Sequence, residues 1–103
     1  MDIRGFIALV GIATFFSAAS HAETDVKKEI IDRCKAQMDK YGSAMVKACV
    51  DQDLEAVAEL KQIPSEYDPT VARCMKQMRK YGFSMVKACA DQDIEAAKAL
   101  KEY

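Results

Sequence analysis

The chain has 103 residues, enough for one small domain, with 15 Lys and Arg against 16 Asp and Glu. That balance excludes nucleic-acid recognition by phosphate neutralisation, which needs a basic face, and it excludes a disordered acidic tail. Four cysteines, one histidine and no tryptophan are the informative features of the composition.

The N-terminal stretch has the pattern of an export signal. Arg4 supplies a positive charge, Phe6–Phe16 is apolar apart from Gly11 and Thr14, and Ser17–Ala22 is a run of small residues around His21. A charged start, a short apolar core and a small-x-small ending form a secretory signal. The apolar run is too short for a membrane span of about 20 residues. A signal peptide over 1–22 and a mature domain over 23–103 are therefore expected, periplasmic or secreted, with no stable membrane anchor after cleavage. Cleavage would also remove His21, the one histidine. Without it no Ser-His-Asp or Cys-His nucleophile can be assembled, and catalytic zinc loses its usual imidazole ligands. No catalytic constellation is recognisable, so an enzyme is not expected.

A repeat organises the rest. Arg33–Lys61 aligns with Arg73–Lys101 at an offset of forty, without gaps, and 19 of the 29 positions are identical. In the first copy, Val26, Ile30, Cys34, Met38 and Tyr41 recur at helical spacing. Thr24 or Asp25 is the expected N-cap. Lys40-Tyr41-Gly42 is the expected stop, a cation followed by a glycine able to adopt positive φ. A second apolar series then runs through Met45, Val46, Cys49, Val50, Leu54, Val57 and Leu60. Asp51-Gln52-Asp53 interrupts it, either capping a new helix or riding on the exposed side of a continuous one. Continuity with a kink is the favoured reading.

Residues 62–68 form the expected linker, with Pro64 stopping the preceding helix. Asp68 is the expected N-cap of the next, with Pro69 at its first position. Val71, Cys74, Met75, Met78 and Tyr81 repeat the first stripe. Lys80-Tyr81-Gly82 repeats the stop, and Met85–Leu100 repeats the second helix. The fold class is thus all-α: two antiparallel helical hairpins, 23–61 and 69–103, packed as a small four-helix bundle.

The cysteines sit symmetrically about each turn. Cys34 and Cys49 are equidistant from the Tyr41–Gly42 junction, and Cys74 and Cys89 from Tyr81–Gly82. Residues equidistant from an antiparallel turn lie at the same height, and each cysteine falls on its helix's apolar stripe. Ala44, Ala48, Ser84 and Ala88 are small enough to help the helices close to the 5.5–6 Å typical of a disulfide. Of the three pairings open to four cysteines, the within-hairpin one, Cys34–Cys49 and Cys74–Cys89, explains the spacing and its repetition. In an oxidising compartment these bonds are structural staples.

Methionine extends the symmetry: Met38 and Met45 flank the first turn, Met78 and Met85 the second. Cys34, Met38, Met45 and Cys49, with Cys74, Met78, Met85 and Cys89, would form soft sulfur sets suited to Cu(I). That is the alternative reading; it needs reduced thiols, and methionine at helical spacing is ordinarily core filler. Lys47/Lys87, the two Asp-Gln-Asp triplets and Glu55/Glu95 also recur. They are a solvated face with helix caps, or a doubled recognition surface. The EF-hand pattern is absent, and a carboxylate hydrolase is the third reading.

The motif Arg-Cys-x2-Gln-Met-x2-Tyr-Gly-x2-Met-Val-Lys-Ala-Cys-x-Asp-Gln-Asp, at Arg33–Asp53 and Arg73–Asp93, resembles one in small exported hypothetical proteins of Gram-negative bacteria. The resemblance implies an exported compartment and carries no activity. In architecture alone, the doubled cysteine hairpin is similar to the twin Cys-x9-Cys hairpins of mitochondria, although fourteen residues intervene here. The expected function is an exported binding module for a protein partner, without cofactor, as a monomer or a homodimer.

Overall fold

The computed structural model describes residues 22–103; the signal segment expected over 1–22 lies outside them except for Ala22. Helix α1 covers residues 22–38. It is already helical at Ala22, so neither Thr24 nor Asp25 is the N-cap expected from sequence. Helix α2 spans Ser43–Lys61, α3 spans Asp68–Met78 and α4 spans Phe83–Leu100. Among the described residues there is no strand.

Helices α2 and α4 run unbroken through their Asp-Gln-Asp triplets. Alanine, leucine, glutamate and lysine dominate both segments, and these residues cost little in a helix interior. Lys47 reaches Asp51 and Lys87 reaches Asp91, each bridging one turn. Such pairs add about 0.2–0.5 kcal/mol apiece across the polar triplet. After α2 the chain turns at Pro64 (ψ 144°) into a short 3-10 turn, Ser65–Tyr67. Helix α3 begins one residue earlier than expected: Tyr67 occupies the cap, and Asp68 and Pro69 fall in the first turn. An acid and a proline suit that turn equally well, the acid facing unpaired N–H groups and the proline needing none.

Each hairpin turns identically. α1 and α3 tighten into 3-10 turns, Asp39–Tyr41 and Arg79–Tyr81, followed by glycine. Gly42 has φ 101° and ψ 163°, and Gly82 has φ 111° and ψ 159°. That region is essentially closed to residues with a Cβ, which is why both copies carry glycine there. The tighter turn corrects one expectation. A 3-10 turn advances each residue by a larger angle than an α-helix, so the stripe through Cys34 and Met38 does not continue inward. Tyr41 and Tyr81 point outward, 62% and 54% exposed.

The core is built from Ile30, Cys34, Ala56, Cys74, Phe83, Val86 and Ala90. Val46, Val50, Leu54, Val57, Leu60, Val71, Met75 and Met78 pack around it, half-buried. Cys34–Cys49 and Cys74–Cys89 are bonded, each with Cα atoms 5.7 Å apart. The small residues do not produce that approach as expected. Ala44, Ala48 and Ala88 are exposed, so it is the cysteines themselves, facing inward, that let the helices close. No helix among the described residues is long and apolar enough to cross a membrane.

Candidate functional site

The two hairpins share a buried polar joint. Asp53, half-way along α2, is 3% exposed, the one buried charged residue among those described. Its Oδ2 accepts from the Arg33 guanidinium and, at 3.0 Å, from the Phe83 backbone N–H. Its Oδ1 accepts from the Ser84 N–H (3.2 Å) and the Ser84 hydroxyl (2.7 Å). Phe83 and Ser84 open α4, whose first N–H groups have no acceptor within their own helix. Gly82 at the cap has no side chain to offer them. Asp53 therefore caps a helix of the other hairpin.

Arg33 completes the joint. Its guanidinium lies 3.6 and 3.8 Å from the sulfurs of Cys34 and Cys49. The guanidinium also lies against Gly82, where an added Cβ would come within 2.7 Å of Cζ. Gly82 is required for its backbone angle, and its missing side chain leaves the room that the Arg33 guanidinium occupies. Burial works to raise the Asp53 pKa, but the Ser84 hydroxyl, the Phe83 and Ser84 N–H groups and Arg33 together outweigh it and hold the carboxyl below its ordinary value. Around the joint, Arg79 forms a two-pronged pair with Glu29 (2.9 and 2.6 Å), which lowers the Glu29 pKa. Lys87 approaches Glu59 at 3.8 Å.

The sequence predicts the Asp-Gln-Asp triplets on a solvated face with helix caps. That holds for Asp51, Gln52, Asp91 and Gln92, which are exposed. It fails for Asp53, because the acceptor position is decided by a helix end thirty residues away. The only sequence trace of this is a pair of differences between the copies, Ser43 against Phe83 and Ala44 against Ser84.

The outer edge of each hairpin carries a second repeated feature. Tyr41, Met45, Ala48, Gln52 and Glu55, and their counterparts Tyr81, Met85, Ala88, Gln92 and Glu95, are exposed in both copies. Met45, Ala48, Gln52 and Glu55, at spacings of three, four and three, share one face of α2, as their counterparts do on α4, and Tyr41 and Tyr81 stand in the turns just before those helices. Lys40 and Lys80 each sit 5.1 Å from the centre of the adjacent tyrosine ring, a cation–π distance. Between the hairpins, Val26, Val57, Leu60, Val71, Met75 and Phe83 line an open apolar hollow of about 310 Å³.

The sulfur sets divide by environment. All four cysteines are disulfide-bonded. Met38 and Met78 are half-buried, whereas Met45 and Met85 stand on the exposed edge. Copper binding through these sets would require both bonds to be reduced first. No cluster of three or more His, Cys, Asp or Glu side chains suited to a metal occurs among the described residues. Disulfides form and persist in oxidising surroundings, outside the reducing cytoplasm. No family model, curated protein or solved structure matches the chain.

Proposed function

We propose that this protein is an exported helical binding module, periplasmic or secreted, and that it recognises a protein partner through the Tyr–Met–Ala–Gln–Glu edge shown twice, each time by a hairpin turn and the helix that follows it, α2 or α4. The supporting observation is a comparison of the copies. Thirteen aligned positions are exposed in both hairpins, and nine of them are identical; of the other sixteen, ten are identical. A surface free of packing demands ordinarily tolerates substitution, yet this one is kept as well as the interior. The edge also has suitable chemistry. Tyr and Met supply contact area with modest ordering cost, and aromatic anchors dominate interface energetics. Two disulfides hold both edges rigid, which reduces the entropy lost on binding.

Site-specific photo-crosslinking in the exporting cell tests the reading. A photoreactive residue at Met45 or Met85 is expected to capture the same discrete protein. The same residue at Ala36 or Glu59, exposed positions that differ between the copies, is expected to capture nothing above background. Equal capture at all four positions would remove the edge from consideration. A Tyr41→Ala/Tyr81→Ala variant is expected to keep its helix content and thermal midpoint while losing the crosslink.

A further inference from the structure

We propose that copies of this chain associate head to tail, the Gly42–Ala44 end of one copy docking on the Arg73–Asp93 face of the next. The template is the joint within the chain. There, Gly82, Phe83 and Ser84 of hairpin 2 rest on Arg33 and Asp53 of hairpin 1. Arg33 and Asp53 recur on hairpin 2 as Arg73 and Asp93: the two are paired, both are part-exposed, and no backbone N–H among the described residues reaches the Asp93 carboxylate. Leu60, which lines the hollow against hairpin 2, has Leu100 as its counterpart, and Leu100 is 64% exposed.

The entering end recurs as well. Gly42 holds the same positive-φ conformation as Gly82, but nothing lies within 4 Å of the position its Cβ would take. Among the described residues no side chain caps the first N–H groups of α2. Each copy thus exposes a receiving face at one end and an entering end at the other. Were the hairpins related by a two-fold axis, Asp93 would cap α2 within the same molecule. It does not, so the joint is heterologous, and a heterologous contact repeated between copies extends without closing unless the rotation brings it into a ring.

Differences between the copies set its strength. Ile30 and Val57 correspond to Thr70 and Ala97, and Phe83 and Ser84 to Ser43 and Ala44. The pairs Arg79–Glu29 and Lys87–Glu59 correspond to Asp39 with Pro69 and Lys47 with Ala99. The contact between copies keeps the charged cradle and loses apolar area, which makes it weak, reversible and dependent on concentration. It involves the hairpin ends, not the Tyr–Met edge, and stands independently of the function proposed above.

Sedimentation velocity from micromolar to millimolar protein, with disulfides intact, tests it. The wild type is expected to show a weight-average mass that keeps rising past the dimer. Asp93→Ala, on an exposed pair that contributes little to folding, is expected to weaken association about tenfold, and Ser43→Phe to strengthen it by at least about tenfold. A Tyr41→Ala/Tyr81→Ala variant is expected to associate like the wild type. A wild type that stays monomeric at millimolar concentration overturns the proposal even if Ser43→Phe associates. So does a mass that saturates at the dimer, or association indifferent to Asp93→Ala.

Discussion

Arg33–Asp53 and Arg73–Asp93 are the same two residues at the same spacing in the same kind of hairpin, yet they do different things. The first pair is buried, caps α4 and covers a disulfide. The second is a surface pair with part-exposed side chains. The two pairs themselves are chemically identical. What differs is whether another hairpin's turn is present to supply donors and exclude water. A duplicated motif therefore has no fixed energetic role; its surroundings turn one copy into a joint and leave the other as a solvated ion pair worth about 0–1 kcal/mol.

Removing what the hairpins share should have the largest effect, and it tests whether the joint can outlast its supports. Each disulfide closes a loop of about fifteen residues, worth on the order of 3 kcal/mol in the loop-entropy account. Stabilities of small domains are only about 5–15 kcal/mol. Full reduction is expected to lower the thermal midpoint by tens of degrees in circular dichroism, with residual helix above it. Oxidised and reduced protein melting within a degree or two of each other would mean that the bonds contribute no stability. The same preparation should contain no free thiol and yield Cys34–Cys49 and Cys74–Cys89 as separate linked peptides.

The comparison itself is broken by paired substitutions. Asp53→Ala leaves Arg33 without its partner and the first turn of α4 without its acceptor, a loss of about 2–4 kcal/mol from cap and buried pair together. Asp93→Ala removes an exposed pair and is expected to cost less than about 1 kcal/mol. Urea titration of the two variants at neutral pH measures the difference directly. Equal losses would show that the joint does not form in solution as it does here.

Much of this architecture was legible in the sequence, and the boundary of legibility has a physical cause. The disulfide pairing, the hairpins and the glycine turns follow from periodicity and from symmetry about a turn, which are local. The signal segment falls outside the described residues. The α-helical period predicts Tyr41 and Tyr81 on the buried stripe, but it does not hold through a segment that tightens into a 3-10 turn. The sequence predicts Asp53 on the solvated face because Phe83 and Ser84, whose N–H groups it caps, lie on the other hairpin, and no local pattern encodes a docking height. Comparing the copies for differences, rather than identities, would have pointed to Phe83 and Ser84.

The smallest effect follows from protons. Asp53 has a carboxyl pKa below that of an unfolded-chain aspartate, despite burial, because hydrogen bonds from Ser84, Phe83 and Arg33 prefer the charged form. A group with a depressed folded pKa contributes stability that is complete above its unfolded pKa, about 3.9. That contribution is lost as pH falls through the folded value, because the unfolded chain takes up the proton first. Glu29, held low by Arg79, adds in the same direction just above that window, since an unfolded glutamate titrates near 4.3. The unfolding free energy is therefore expected to be flat around neutrality and to decline below about pH 4–5. In Asp53→Asn, which keeps the shape and one acceptor oxygen but cannot titrate, the acid decline should be shallower. Urea midpoints measured at intervals from pH 7 to pH 2.5 decide this. An Asp53→Asn profile parallel to the wild type throughout would mean that Asp53 is not the charged cap of α4 that the geometry describes.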